Sequence, residues 1–98
     1  LKQNMRLDGA EQHEIHSKGQ KKVIECLGGL QSKVYRELSG KAYKQFWGEF
    51  KRYFSIPRYS ELKKVDVNKA LRFIESWRPN TSLQMEINAV KGQIVFFD

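Results

Sequence analysis

Hydrophobic residues recur at helical spacing along most of the chain, and the clearest stripe predicts a helix from about residue 40 to residue 54. Its apolar face carries five aromatic residues at i, i+3, i+4, i+7 and i+11, namely Tyr43, Phe46, Trp47, Phe50 and Phe54. Ser39 is predicted to cap this helix at its N-terminus. The helix should end before Pro57, because the residue preceding a proline is disfavoured in the helical conformation.

A first helix is predicted from Asp8 to about Leu27. Asp8 and Glu11 have the spacing of a capping box, in which each side chain bonds a free amide of the first turn. A sparse apolar stripe follows at Ile15, Val23, Cys26, Leu27 and Leu30. Gly19 lowers the stability of this predicted helix by about 1 kcal/mol relative to alanine. Gly28 and Gly29 form a natural stop, and residues 31–38 are predicted to add a short helical turn.

A third helix follows a loop at residues 55–65, with Asp66 as its predicted cap and Pro79 as its stop. Its buried stripe is formed by Val67, Ala70, Leu71, Ile74 and Trp77.

The C-terminal segment is compatible with two structures. Leu83, Met85 and Ile87 alternate as in a strand, and Gly92 with the following IVFFD could form the second strand of a hairpin. Residues 83, 87, 90 and 94 are also apolar at helical spacing, and Thr81 with Gln84 has the form of a capping box. The predicted fold class is therefore a mainly α domain of three to four helices, with a short C-terminal β-hairpin as the alternative over residues 82–97.

Composition is typical of one small folded domain, spanning residues 1–98. The 98 residues are 40% hydrophobic and 12% aromatic, which argues against intrinsic disorder. No apolar run approaches the roughly 18 residues that cross a bilayer, so no membrane association is expected. The sequence begins with Leu1 rather than Met, and we expect it to be the C-terminal part of a longer protein. A single cysteine excludes an internal disulfide framework and fits a reducing cytoplasm.

Catalytic and metal-binding patterns are weak, and we expect no enzyme activity, metal or cofactor. His13 and His16 have no third ligand nearby in the sequence and are interpreted as solvated surface residues. Cys26 falls on the apolar stripe, where a thiol packs as a small hydrophobe. Gly28 and Gly29 lack the strand before them and the lysine–serine pair after them that a phosphate-binding loop needs. The five glutamates at positions 25, 37, 49, 61 and 75 are scattered among basic residues.

The net charge of +7 is concentrated in the middle of the chain. Residues 33–78 carry twelve basic and five acidic residues, whereas the segments before and after are nearly neutral. A local basic excess points to a polyanionic partner, with nucleic acid favoured over an anionic membrane surface. The predicted nucleic-acid-binding residues lie opposite the apolar stripes or in the loop between them, and they are Lys41, Lys44, Lys51, Arg52, Arg58, Lys63, Lys64, Lys69 and Arg72.

The aromatic residues are another candidate for contact with nucleic acid, because bases stack on exposed rings. The helical register of Tyr43, Phe46, Trp47, Phe50, Phe54, Phe73 and Trp77 instead predicts a core. Tyr35, Tyr53 and Tyr59 are less constrained. Tyr59 could contact a phosphate through its hydroxyl, although a tyrosine packed over the edge of the core is the more common outcome.

The middle of the chain resembles the C-terminal domain of phage regulatory and antirepressor proteins, the phage open-reading-frame-six C-terminal family. The resemblance is carried by Lys51-Arg52-Tyr53-Phe54, by the loop from Ser55 to Tyr59, and by Ala70, Ile74 and Trp77. It is firm over residues 39–79 and extends loosely to Glu11-Gln12 and to the EIN…GQIVFFD tail. It implies a small helical domain of a prophage transcriptional regulator in the bacterial cytoplasm, usually preceded by a DNA-binding module of the KilA-N or Bro-N type. It also implies that the domain binds DNA, in preference to RNA, or mediates protein contacts.

Two functions are consistent with these observations. The charge distribution favours a DNA-binding domain that contacts phosphates through a basic helix face. The sparse first stripe and the apolar tail (Ile94, Val95, Phe96 and Phe97) favour the alternative, a module that binds a repressor protein or another copy of itself.

Overall fold

The computed structural model describes residues 5–94, with the side chains of residues 93 and 94 excepted. These residues form four α-helices, α1 (Gly9–Cys26), α2 (Lys33–Phe54), α3 (Val67–Ser76) and α4 (Thr81–Ile94), and two 3-10 turns, Tyr59–Glu61 and Lys64–Asp66. The described segment contains one isolated antiparallel bridge, between Arg6 and Lys63, and no sheet. The predicted helical fold class is confirmed.

The capping box predicted for α1 is present. The backbone amide of Glu11 donates to Oδ1 of Asp8 over 2.8 Å, and the amide of Asp8 donates to Oε1 of Glu11 over 3.0 Å. The helix ends just before Gly28 and Gly29, whose φ angles are +93° and +105°. Because L side chains rarely adopt such angles, the two glycines allow the chain to reverse here into α2.

The predicted start of α2 was wrong by seven residues. The cap is Ser32, whose Oγ accepts a hydrogen bond from the amide of Tyr35 over 3.0 Å, and Ser39 lies inside the helix. The short turn predicted at residues 31–38 is the beginning of this same helix, because nothing between Ser32 and Ser39 interrupts it. α2 ends at Phe54, before Pro57 as predicted, and Ser55 adopts the left-handed conformation with φ of 55°.

The caps of α3 and α4 differ in part from the prediction. Asp66 occupies the N-cap position of α3, but its side chain makes no capping hydrogen bond. α4 is capped by Asn80 rather than by a Thr81–Gln84 box, since Oδ1 of Asn80 accepts from the amide of Leu83 over 2.9 Å. The segment that alternates as a strand is therefore helical, and its Met85 side chain is exposed. Of the apolar tail and the second hairpin strand, residues 95–98 lie outside the described part of the chain.

The core forms where α1 packs against α2 and α3, and where α4 packs against the first half of α2. Phe46 lies at its centre, with the ring of Trp47 4.7 Å away and that of Trp77 5.1 Å away between centroids. The aromatic core predicted from the helical register is confirmed: Phe46, Phe50 and Trp77 are buried, while Tyr43, Trp47, Phe54 and Phe73 pack half-buried against them.

Candidate nucleic-acid interface

Three of the nine cations predicted to bind nucleic acid form ion pairs with carboxylates. Lys41 Nζ lies 2.8 Å from Oε1 of Glu86, and Arg58 Nη1 lies 3.2 Å from Oε2 of Glu61. Both of these cations remain more than half exposed, at 58% and 66%. Ion pairs in such positions are weak, so they lower the local positive charge without removing the side chains from solvent.

Lys64 is the most strongly neutralised of the predicted cations. Its Nζ donates to Oε1 of Glu11 over 2.6 Å and to Oδ2 of Asp8 over 3.4 Å, which ties the loop to the capping box of α1. The hydrogen bond to Glu11 raises the pKa of Lys64, and the same bond lowers the pKa of Glu11. The pKa of Asp8 is lowered first by the amide of Glu11 and then by Lys64. Lys64 is therefore part of the fold, with its charge already compensated.

Six predicted cations form no ion pair with the residues that the structure describes. They are exposed, apart from the partly exposed Lys51, and they comprise Lys44, Lys51, Arg52, Lys63, Lys69 and Arg72. Unpaired cations of this kind can neutralise phosphates, and the resulting release of the cations condensed on the nucleic acid is what drives such a surface onto a polyanion.

Two of these six, Lys69 and Arg72, line a groove of about 480 Å³ between the second half of α2 and α3. We call it the basic groove, and its walls are Glu49, Tyr53, Lys69, Arg72, Phe73, Ser76, Trp77 and Arg78. The groove exists because Phe73 packs against Phe50, with ring centroids 5.5 Å apart, and so fixes the separation of the two helices below their exposed edges.

Arg78 is a groove cation that the sequence analysis missed. Its Nη1 donates to the carbonyl oxygen of Trp77 over 2.7 Å and to that of Glu75 over 3.4 Å. These two hydrogen bonds hold the guanidinium in place, and because the acceptors are uncharged they do not neutralise its charge. The sequence feature that could have indicated Arg78 is its position at the end of the basic segment, immediately after the predicted buried Trp77.

One acidic residue, Glu49, faces the basic groove. Its Oε1 accepts a hydrogen bond from Nε1 of Trp77 over 2.8 Å. The Trp77 side chain is buried, and a buried indole N–H needs an acceptor. Glu49 therefore joins α2 to the end of α3, and the groove still holds three cations against one carboxylate.

Three further unpaired cations lie on the outer side of α2 and do not line the basic groove. Lys51 and Arg52 border a shallow depression with Gly48, Ser55 and Ile56, and Arg52 is next to Tyr53 and three residues from Glu49 on the helix. Lys44 lies on the same face as Lys51, at the i, i+7 spacing, and this face is about 140–180° around α2 from Glu49 and Tyr53. We call the combined area the basic surface; it carries Lys44, Lys51, Arg52, Lys69, Arg72 and Arg78. Lys63 lies apart from it, at the bridge to Arg6.

His16 and Tyr59 pack on the opposite side of α2. The His16 ring is stacked on the Trp47 indole, with centroids 5.6 Å apart and planes inclined by 9°, and Tyr59 contacts both rings. The interpretation of His16 as a solvated surface residue was therefore wrong, because sequence spacing does not reveal the neighbour supplied by α2. Tyr59 lies over the edge of the core, the more common of the two outcomes considered for it.

The remaining candidates for chemistry are few in the described residues. No group of three or more His, Cys, Asp or Glu side chains between residues 5 and 94 is arranged to hold a metal ion. Cys26 is half-buried against the core, and burial raises the pKa of its thiol. No helix in the described range has the length and apolar character required to cross a bilayer.

Comparison with known proteins identifies one family. A family model of the ORF6C domain matches residues 1–87, which includes the whole of α1, α2 and α3 and half of α4. It covers residues 39–79, over which the sequence resemblance was firm. Neither the curated proteins nor the solved structures contain a match to the chain.

Proposed function

The chain belongs to the ORF6C domain family, and we propose that it binds DNA through the basic surface formed by α2 and α3. Family membership associates it with phage-type regulatory or replication-associated proteins. The proposal adds the mode of action, in which cations of the basic surface engage the phosphate backbone. It assigns no catalytic role to any residue.

The observation that carries this proposal is that some basic residues form ion pairs with carboxylates whereas others are left unpaired. The chain uses Lys64, Lys41 and Arg58 in ion pairs, yet it leaves Arg52, Lys69 and Arg72 exposed without a carboxylate partner among residues 5–94. Lys69 and Arg72 also line one groove together with Arg78, so three cations converge there. Five cations on α2 and α3, with Arg78 just after α3, give the spread of positive charge that neutralises successive phosphates.

The chemistry of the basic surface also suits a phosphate backbone. Arg52, Arg72 and Arg78 each carry a planar guanidinium that contacts phosphate oxygens through two parallel N–H donors. The lysines act as point charges on flexible stems, which tolerate variation in phosphate position. Such contacts position a protein on DNA without reading its sequence.

The test is a DNA-binding titration with two charge-matched variants. One replaces Arg52, Lys69 and Arg72 by Ala. The other replaces by Ala three exposed lysines outside the basic surface that form no ion pair with the described residues, Lys21, Lys63 and Lys91. Both lose the same charge, so a difference between them reports the location of the site and not the overall charge. We expect the first variant to lose about tenfold or more in affinity and the second to lose about threefold or less.

Salt dependence provides a second readout in the same titration. The affinity of binding through phosphates falls with salt at a log–log slope of about −0.9 per phosphate neutralised. The triple variant of Arg52, Lys69 and Arg72 should therefore have a slope shallower by roughly two to three units. Equal affinity and equal slope for the two variants would discard the proposal. Absence of DNA binding by the parent chain, with self-association in ultracentrifugation, would favour an oligomerisation module.

A further inference from the structure

Tyr53 differs from the other three tyrosines of the chain in its exposure and its contacts. The hydroxyls of Tyr35 and Tyr43 bond to each other over 2.9 Å, and Tyr59 packs on the Trp47 indole. Tyr53 remains 60% exposed, the only aromatic side chain among the large hydrophobic residues exposed in the described part of the chain. Its hydroxyl makes no hydrogen bond to residues 5–94.

The exposed Tyr53 ring is nevertheless fixed in position. Its centroid lies 5.3 Å from that of Phe73, with the planes inclined by 38°, and 4.8 Å from that of Phe54 in an edge-on arrangement. These two half-buried rings support one side of the tyrosine and leave its remaining surface to the basic groove. A ring held in this way loses little conformational freedom when a ligand stacks on it.

The surroundings of the ring specify the chemistry of that ligand. Lys69, Arg72 and Arg78 line the same groove, and Arg52 is adjacent to Tyr53 on α2. A flat apolar face beside several uncompensated cations is complementary to a nucleotide, which pairs an aromatic base with an anionic phosphate. The faces of bases within a duplex are covered by their neighbours, whereas single-stranded bases are free to stack on a protein ring.

We infer that the basic groove binds single-stranded DNA, with one base stacked on Tyr53 and the flanking phosphates held by Lys69, Arg72 and Arg78. This inference rests on the proposed function and narrows it to the form of DNA that is recognised.

The experiment compares a labelled single-stranded oligonucleotide of about 15 nucleotides with the duplex of the same sequence. Fluorescence anisotropy measures the affinity of the parent chain and of Tyr53→Phe, Tyr53→Leu and Tyr53→Ala. We expect the parent to prefer the single strand, Tyr53→Phe to keep that affinity, and the other two variants to lose about tenfold, as for one lost base–aromatic stack. Duplex affinity should change by less than about twofold, since phosphate contacts are retained.

Tyr53→Leu separates stacking from packing, because leucine keeps an apolar contact with Phe73 and removes the flat face. Circular dichroism establishes that each variant retains its helices. Preference of the parent for duplex, or an equal loss on both forms of DNA in Tyr53→Ala, would overturn this inference and leave the proposed function standing. If the parent binds neither form, the proposed function fails as well.

Discussion

Gly19 of α1 lies so close to Trp47 of α2 that a Cβ atom on the glycine would stand 2.7 Å from Cζ2 of the indole. Cε2 of Phe46 would be only 2.8 Å away. The glycine that weakens α1 in isolation is thus the residue that lets two helices approach each other. The Trp47 ring cannot move aside easily, since His16, Phe50 and Tyr59 surround it.

Replacing Gly19 by Ala is therefore expected to destabilise the domain. Overpacking typically costs about 1–3 kcal/mol, and the better helix propensity of alanine returns at most about 1 kcal/mol. With the full gain in helix propensity, we expect a net loss of up to about 2 kcal/mol in the free energy of unfolding, measured by urea denaturation. Gly40 is the matched control, because it lies within α2 and a Cβ there would have no atom within 4 Å. Gly40→Ala should stabilise by up to about 1 kcal/mol, and an equal gain at Gly19 would contradict the close packing.

Lys64→Met should lower stability without weakening DNA binding, because Lys64 is already paired with Asp8 and Glu11. The effect should depend on pH in a defined direction. Folding lowers the pKa of both carboxyls, so their contribution is present above the pKa of the unfolded chain and is lost as the pH falls through the folded values, below about pH 4. Folding raises the pKa of Lys64, so its contribution is lost as the pH rises above about 10.

Urea titrations at several pH values measure this difference between parent and Lys64→Met. The gap should be widest near neutral pH and should narrow toward pH 3. A difference in stability that is constant over this range would show that the ion pair contributes nothing to folding. A loss of DNA affinity comparable to that of the triple variant of Arg52, Lys69 and Arg72 would show that Lys64 contacts DNA.

Glu49 is expected to stabilise the fold through its hydrogen bond to Trp77 and to weaken DNA binding through its negative charge. Glu49→Gln keeps an oxygen acceptor for Nε1 of Trp77 and removes a negative charge from the basic groove. Stability should change by less than about 1 kcal/mol, while DNA affinity should rise about two- to fourfold at low salt. Glu49→Ala leaves the buried indole N–H without its acceptor and should cost about 1–3 kcal/mol in the free energy of unfolding. Unchanged affinity in Glu49→Gln would place the DNA away from this groove.

Local sequence patterns predicted α1, the second half of α2 and α3, because their determinants lie within a few residues, but they left α4 open between a helix and a hairpin. The capping box of Asp8 and Glu11 and the aromatic stripe of α2 are both confirmed. The cap of α2 was misassigned because Ser32 and Ser39 are equivalent as residue types. What favours Ser32 is its place after two glycines with positive φ, where its hydroxyl also donates to the carbonyl of Leu27 over 2.9 Å.

The candidate site was less predictable, because it depends on contacts between distant parts of the chain. Lys41 meets Glu86, 45 residues away, and Lys64 meets Glu11, 53 residues away. No local spacing reveals such pairs, so compensated and uncompensated lysines look alike in the sequence. The ion pair of Arg58 with Glu61 could have been predicted from the sequence, because the two residues are only three positions apart.

Arg78 and Lys63 provide a test of the site at the level of single cations. Both are exposed and neither forms an ion pair within the described residues, but Arg78 lines the basic groove and Lys63 lies at the bridge to Arg6. Arg78→Ala should weaken DNA binding about three- to tenfold and make the log–log salt slope shallower by roughly one unit. Lys63→Ala removes the same charge and should change the affinity by less than about twofold. Anisotropy titrations over a range of salt concentrations measure both quantities. Equal losses in the two variants would mean that DNA responds to the net charge of the domain and not to the groove between α2 and α3.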